Sequence, residues 1–356
     1  MSTYRKALNR AIFRFYCAAL SIALRRPRHL PMALRCALNQ FSAARKRNRL
    51  HAAGQPIPPM LILSITGRCN LSCRGCYSHH LGFSKDQELG RGNVIRILAD
   101  AERLGVGTVL VAGGEPFVRA DDIWEFTRKF PSLLFAIFSN GLLIDAAALK
   151  NIRKSKNIVP VISLEGHNAD TDNRRGQGVA NRVAGVLQAL QTSGIFFGVS
   201  VTVSRDNFDH VLSASFVDGL VDSGCSLIFF VEYVPVEAGS EDQVIDTIQR
   251  QELLRRVEEL RRTKHLLCVA FPGEEEEFGG CLAAGRGFVH ISPSGMLEPC
   301  PFAPYSDTNL ANVSLGQGLA SPLLAAIRAN HSRLQETRGG CALWNQRDWV
   351  RSLTEE

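Results

Sequence analysis

Residues 1–85 contain no aspartate and no glutamate; Asp86 is the first acid in a chain of 356 residues. The same stretch holds fifteen Lys and Arg, which leaves 26 basic against 34 acidic side chains in the remainder. The net charge of +7 is therefore a property of the N-terminal region, and the body is net acidic. No apolar run reaches 18 residues. The longest near the N-terminus, residues 15–24, is too short to span a bilayer and is followed by Arg25-Arg26 without a small-residue cleavage site, so neither a transmembrane helix nor a signal peptide is expected. Ten cysteines are too sparse for a secreted disulfide scaffold, and the close spacing of three of them points to metal ligation in a reducing, cytoplasmic compartment. There is no internal repeat, and the one acidic run, Glu274 to Glu277, is expected to be a solvated turn. The basic region lacks interleaved aromatic platforms and any known recognition motif, which excludes nucleic acid as an expected partner.

What is present, at 45% hydrophobic residues, supports one large core and a smaller appended unit. Residues 3–26 read as an amphipathic helix, with Lys6, Arg10, Arg14, Ser21 and Arg25 on one face and Leu8, Ile12, Tyr16, Leu20 and Leu24 on another, ended by Pro27. A second helix over 31–44 leads into the basic cluster Arg45 to Arg49, and residues 54–59 read as a linker. From there, β-type apolar runs at 60–65, 107–112, 133–138, 158–164, 196–203 and 227–233 alternate with helical patterns at 91–104, 121–129, 145–153, 178–192 and 209–222. Six strands with intervening helices predict a parallel α/β architecture, closed by a charged helix over 250–264. After residue 265 the pattern changes to short strands, glycine turns and cysteines, with a hairpin around Pro293-Ser-Gly295. The expected organisation is a basic helical arm and linker (1–56), a barrel (57–264) and a small cysteine-bearing unit (265–356).

The segment from Ser64 to Tyr77 places Cys69, Cys73 and Cys76 at C-x3-C-x2-C spacing directly after the first strand. Three thiolates in one loop can hold three irons of a [4Fe-4S] cube and leave the fourth open, whereas closed structural sites use four ligands. On spacing alone, zinc with His79 or His80 as fourth ligand, and reduced cysteines with no metal, stay open as alternatives.

This loop resembles that of the radical S-adenosylmethionine (SAM) superfamily, over about residues 57–350. The resemblance implies a partial (βα)6 TIM-type barrel, a [4Fe-4S] cluster on Cys69, Cys73 and Cys76, and SAM chelating the open iron. One-electron cleavage of SAM would then give a 5′-deoxyadenosyl radical that abstracts hydrogen from substrate, with chemistry at the C-terminal ends of the strands. Gly113-Gly114-Glu115-Pro116 is similar to the family's glycine-rich motif for the methionyl amine, where a Cβ would block close approach of main chain. Ser139-Asn140 and Ser163-Leu-Glu165 fall where the family recognises the methionyl and ribose portions, Glu165 standing where the family more often has Asp. Arg174 offers a guanidinium for the methionyl carboxylate, its alternative being a solvated basic turn. Tyr77 and the Glu232 to Pro235 segment match positions of adenine contacts, or are simple packing.

Cys281, Cys300 and Cys341, with Gly295 between the first two, resemble the SPASM or twitch extension that holds an auxiliary iron-sulfur cluster. The pattern departs from the fuller form, since Arg338 stands where a C-x2-C pair ending at Cys341 would need its first member. The cluster would be three-cysteine-ligated, or completed by Cys268 or a non-cysteine ligand; buried thiols are the plain alternative. Cys17, Cys36 and Cys225 read as small hydrophobes. The resemblance implies a radical SAM oxidoreductase acting on a peptide or protein, with a membrane lipid or small metabolite as alternative substrate and a non-catalytic electron-transfer or metal-binding protein as the rival class. A reductant protein such as flavodoxin or ferredoxin is the expected electron source, and the basic arm suggests peripheral membrane contact.

Overall fold

The computed structural model describes residues 3–83, 86–335 and 341–354. Seven strands run parallel in sequence order: β1 (Met60–Thr66), β2 (Thr108–Gly113), β3 (Leu134–Ser139), β4 (Ile158–Leu164), β5 (Gly198–Val203), β6 (Leu227–Glu232) and β7 (Leu267–Phe271). Two further strands, β8 (Phe288–Ile291) and β9 (Leu297–Glu298), extend the sheet from the other side, in the order β7-β6-β5-β4-β3-β2-β1-β8-β9. Strands such as β4 are apolar on both faces because one face meets the outer helices and the other the barrel lumen. The expected helices at 91–104 and 178–192 appear as Arg91–Leu104 and Val179–Thr192. The helix expected over 209–222 is broken at Ser213, whose hydroxyl accepts from Phe216 N and starts a new helix.

The sheet crosses the expected boundary at 264/265. β7 pairs with β6 in parallel register, and β8 pairs in parallel with β1 before turning through the expected hairpin into antiparallel β9. The cysteine-bearing unit is thus built onto the first barrel strand and shares its sheet.

The N-terminal arm is a helical hairpin of α1 (Thr3–Arg25) and α2 (Leu30–Ala52). The basic cluster 45–49 lies inside α2, since Lys and Arg are good helix formers. The hairpin packs beneath the barrel at the N-terminal ends of the strands. Ile22, with Phe15, Ala19 and Met32, packs against Leu134, Val159, Leu227 and Leu267 in the lumen floor. Arg26 donates to Gly224 O at 2.7 Å, Gln40 to Thr108 Oγ1 at 3.1 Å and Arg47 to Gly105 O at 2.5 Å. Arg47 is buried, which lowers its pKa to about 10. The apolar row expected on α1 does not stay inward. Residues spaced by four drift about 40° around a helix per step, so Leu8 is buried while Leu24 is 66% exposed, and Ile22 and Ala23 go in instead. By length and composition Tyr4–Arg25 would also suffice to cross a bilayer, although Arg10 and Arg14 interrupt its apolar runs. Its inner face is packed on the barrel floor.

Candidate active site

β1 ends in an irregular register step between Ser64 and Thr66, and the chain leaves the sheet there into the loop carrying Cys69, Cys73 and Cys76. Thr66 Oγ1 and Gly67 N both donate to Glu88 Oε1, at 2.5 and 3.1 Å, which fixes the start of the loop. The turn of β2 fixes it from beneath. Gly114 N donates to Thr66 O at 2.7 Å and Glu115 N to Arg68 O at 2.8 Å. A Cβ on Gly113 would stand 2.3 Å from Thr66 O, and one on Gly114 2.1 Å from Arg68 O. Close approach of main chain does explain these glycines, but the partner the structure shows is the cluster loop itself.

Glu115 is buried beneath this crossing. One carboxylate oxygen accepts from Phe117 N at 3.0 Å and Ser139 Oγ at 2.8 Å, the other from Asn140 N at 2.8 Å. Burial raises its pKa, against the opposing effect of these donors. Glu115 thus joins the β2 turn to the end of β3, and its N-cap bond starts the short helix at Pro116. Ser139 is occupied likewise, its hydroxyl accepting from Gly141 N at 2.9 Å. Asn140 reaches the loop directly: Nδ2 donates to Asn70 Oδ1 at 2.8 Å and lies 3.9 Å from Cys69 Sγ.

Glu165, expected as a ribose acceptor, is engaged by donors of the protein itself. Oε1 accepts from Arg174 Nη1 at 2.7 Å and Arg175 Nε at 2.9 Å, and Arg175 Nη2 closes the pair with Arg175. Oε2 accepts from Thr202 N at 3.1 Å. The carboxylate is wholly engaged and 1% exposed. Arg174 is correspondingly engaged by Glu165, by Thr202 Oγ1 and by Arg74 O, and Arg74 N donates to Arg174 O at 2.9 Å. The helix Asn168–Arg175 is thereby clipped to the cluster loop. Arg175, which the sequence reading passed over beside Arg174, is the more buried of the two guanidiniums. Burial alone would lower its pKa, but Glu165, Cys73 and Cys76 outweigh that and hold it raised.

At the last turn of the loop, Gly75 has φ +62°, and a Cβ there would lie 2.7 Å from Tyr233 Oη. Gly75 N donates to Glu237 Oε2 at 3.1 Å. Tyr77 packs its ring 5.8 Å from Phe83 and 5.3 Å from Phe302, and burial raises its hydroxyl above the usual range. Burial likewise raises the thiols of Cys69 and Cys73, with Arg175 opposing at Cys73.

Cys69, Cys73, Cys76, Tyr77, Gly113, Gly114, Glu115, Ser139, Asn140, Ser163, Arg174 and Arg175 all border one cavity of about 790 Å³, which descends through the apolar lumen to α1. Ser200 and Thr202, absent from the sequence reading, add hydroxyls to the same wall. Among the described residues no three His, Cys, Asp or Glu side chains converge on one ion-sized point. His79 and His80 are exposed at the end of the short helix Tyr77–His80, where His80 faces Glu237 at 3.6 Å. Three thiols on one loop are a donor set that separately ligated irons of a cube can take.

Cys281, Cys300 and Cys341 are each buried and neighbour one another. Burial first, then Glu275 and the adjoining thiols, push Cys281 well above the ordinary thiol range. Neutral thiols suit that environment; as thiolates they need a positively charged metal centre, which is what iron would supply. Glu275 corrects the solvated-turn reading of its acidic run: it is 3% exposed and accepts from Leu282 N at 2.8 Å, although Glu276 and Glu277 are exposed. Cys268, on β7 opposite Ile228, is neighboured by Cys225 and Arg261, apart from this trio's electrostatic environment. Arg338, Gly339 and Gly340 lie outside the described residues. The two regions are joined by a buried chain that sequence gave no sign of: Ser64 Oγ to His290 Nε2 at 2.7 Å, and His290 Nδ1 to Glu298 at 2.7 Å, with Phe83 stacked on the imidazole.

Residues 63–214 match the Radical SAM superfamily family model. The chain is 28% identical over 317 residues to mycofactocin maturase MftC of Mycolicibacterium smegmatis, covering 81% of this chain and 79% of the relative. It is 22% identical to an AdoMet-dependent heme synthase of Methanosarcina barkeri, covering 71% and 79% respectively. Among solved structures it is similar to Streptococcus suis SuiB bound to precursor peptide SuiA, with TM-score 0.66 and 20% identity over 81% of this chain and 71% of that one.

Proposed function

We propose, from the premise that this chain is an enzyme of the radical SAM superfamily, that it modifies a peptide or protein segment by hydrogen abstraction and carries an auxiliary cluster on Cys281, Cys300 and Cys341. The observation that carries this reading is that one cysteine set lines the cavity and sequence neighbours of the second set reach the same cavity. Cys69, Cys73 and Cys76 line it directly, and Leu282, Pro301 and Phe302, sequence neighbours of Cys281 and Cys300, line it beside Tyr77. A maturase and a protein bound to a precursor peptide are among the proteins this chain is similar to.

Cys69, Cys73 and Cys76 would hold the [4Fe-4S] cluster. Bound cluster and SAM supply one-electron cleavage of the sulfonium and removal of a substrate hydrogen. The chain's own groups position and protect that chemistry. Glu88, Asn140 and the Gly113-Gly114 crossing hold the loop at fixed height over the strand ends. Ser163, Ser200 and Thr202 offer hydroxyls to SAM along one wall, and Arg174 and Arg175 place positive charge beside its carboxylate end while remaining bound to Glu165. Tyr77, Phe302 and the apolar lumen exclude water. The exposed edge at Cys69 leaves an approach for a reductant protein such as flavodoxin or ferredoxin.

A second reading, an apolar small molecule or lipid as substrate, is favoured by the lower cavity wall of Leu110, Ala136, Phe138, Phe229 and Val269. Its volume lies within the range of small-molecule sites.

Anaerobically reconstituted protein given a strong reductant should convert SAM to 5′-deoxyadenosine, and the Cys69→Ala/Cys73→Ala/Cys76→Ala variant should not. Deuterium transfer from a labelled candidate peptide into 5′-deoxyadenosine would identify the substrate class. Colourless protein with stoichiometric zinc and no cleavage would sink the proposal.

A further inference from the structure

The helical hairpin beneath the barrel uses only one of its faces. Its inner face is spent on the lumen floor through Ile22, Phe15 and Met32 and on the hydrogen bonds of Arg26, Gln40 and Arg47. The outer face is unlike the rest of the surface. Seven large hydrophobic residues are exposed among the described residues, and five of them stand here: Phe13 and Leu24 on α1, and Leu34, Leu38 and Phe41 on α2. Leu34, Leu38 and Phe41 follow i, i+4, i+7 spacing and form one stripe. Leu143 and Ile248, the other two, lie singly elsewhere in the sequence.

Around these residues stand exposed cations: Lys6, Arg10, Arg14 and Arg25 on α1, Arg35, Arg45, Lys46 and Arg49 on α2. The Arg45 guanidinium lies 4.3 Å from the Phe41 ring centroid. Neither helix contains an acid. Lys46 donates to Glu102 O at 3.3 Å and Arg14 borders the cavity, but a face used only for internal docking has no need of the remaining exposed cations or of the large apolar groups among them.

We infer that the outer face of the α1–α2 hairpin is a docking surface for an anionic phospholipid bilayer. Two antiparallel helices of 23 residues each, about 35 Å long, lie side by side and can rest in the plane of the interface. Phe13, Leu24, Leu34, Leu38 and Phe41 would enter the acyl boundary while the long Arg and Lys side chains reach back to phosphate. A nucleic acid matches the charge but not the apolar stripe, and an acidic soluble protein would have to present apolar groups as well. The surface lies at the N-terminal ends of the strands, whereas the cluster loop follows their C-terminal ends. A bilayer held there leaves the cluster end of the cavity facing water.

Cosedimentation of the full-length protein with vesicles of phosphatidylcholine alone, and with one third phosphatidylglycerol, tests this. Binding is expected only to the anionic vesicles and should fall steeply as salt is raised. The Arg10→Glu/Arg14→Glu/Arg25→Glu variant should bind at least a hundredfold more weakly, and Leu38→Asp/Phe41→Asp should also lose binding. Both alter exposed side chains, so unchanged thermal melting would verify that the fold is kept. Equal pelleting with both vesicle types, or variants that bind like the parent, would overturn the proposal. So would concentration-dependent dimerisation abolished by Leu38→Asp without vesicle binding, which would give the face to a second copy of the chain.

Discussion

Asn140 Nδ2 donates to Asn70 Oδ1 at 2.8 Å, so the residue that follows β3 holds the first residue after Cys69. Asn140 is itself fixed, its backbone N bonded to Glu115 and its Oδ1 accepting from Leu142 N at 2.9 Å. The contact therefore transmits the rigidity of two strand ends to a loop that has no regular structure of its own. Asn140→Ala should leave folding nearly intact, costing about 1–3 kcal/mol for the groups left unpaired. Iron should leave the cluster loop several-fold faster when a chelator is added, as followed by absorbance decay. Unchanged iron loss would show that the cysteines alone hold the loop.

Glu165 offers a costly single change. Its carboxylate is almost fully buried between Arg174 and Arg175, so Glu165→Gln leaves two guanidiniums without their anion. Breaking a buried pair in this way destabilises by about 3–5 kcal/mol. The melting temperature should drop clearly, and SAM affinity should fall because both arginines lose their orientation. A variant that melts like the parent but binds SAM more weakly would instead revive direct contact between Glu165 and SAM.

Gly75→Ala combines backbone strain at φ +62° with a Cβ 2.7 Å from Tyr233 Oη. The left-handed conformation alone costs about 1–2 kcal/mol for a residue with a Cβ. Adding Tyr233→Ala should relieve the collision but not the backbone cost, so cluster retention is expected to recover in part. Full recovery would mean that φ at this position is free to change.

The two cysteine sets should separate in an iron assay. Parent protein is expected to carry about eight irons if both sites hold [4Fe-4S]. The Cys281→Ala/Cys300→Ala/Cys341→Ala variant should carry about four and still cleave SAM when no product is formed. Equal iron in the two proteins would return these cysteines to the role of buried hydrophobic residues.

Stability should depend on pH through the arm. Burial lowers His29 and His51 from an ordinary histidine value of 6.5 to about 4 each, helped by neighbouring arginines. The unfolded chain therefore binds more protons than the folded one between about pH 6.5 and 4. Stability contributed by neutral histidine is complete above the unfolded pKa and is lost as pH falls through that window. Melting temperature should be higher at pH 7.5 than at pH 5, and His29→Asn should flatten the slope. His29 sits in the turn between the helices with its ring 5.6 Å from Phe196, so its protonation should loosen the hairpin from the barrel.

The strand and helix alternation was legible because buried parallel strands read as short apolar runs and the covering helices as 3.6-residue patterns. The cysteine loop stands out in the sequence for a different reason: its three thiols fall within eight residues. What escaped reading was mostly non-local or polar. Helix Asn168–Arg175 has hardly an apolar residue, and its stability comes from a capping box and its bonds to the loop and Glu165. Glu165 looked like a free carboxylate until Arg174, Arg175 and Thr202 were brought around it. β7 was hidden because Leu267–Phe271 is short and stands among cysteines and prolines, a setting that reads as irregular structure. Glu275 was hidden in an acidic run whose next two members are exposed. The drift of α1 was in principle calculable, since rows spaced by four cannot remain on one side of a 23-residue helix.

The unequal exposure of the two thiol sets bears on how the protein is assembled. Cys69 is open to solvent, and Cys73 and Cys76 are half-buried on a surface loop, so iron and sulfide can reach them in the finished fold. Cys281, Cys300 and Cys341 are 2–5% exposed behind a hairpin paired to β1. Iron would therefore reach them less readily once β8 and β9 are seated against the barrel. An auxiliary centre there, once lost from mature protein, should be replaced by iron and sulfide more slowly than one on the surface loop.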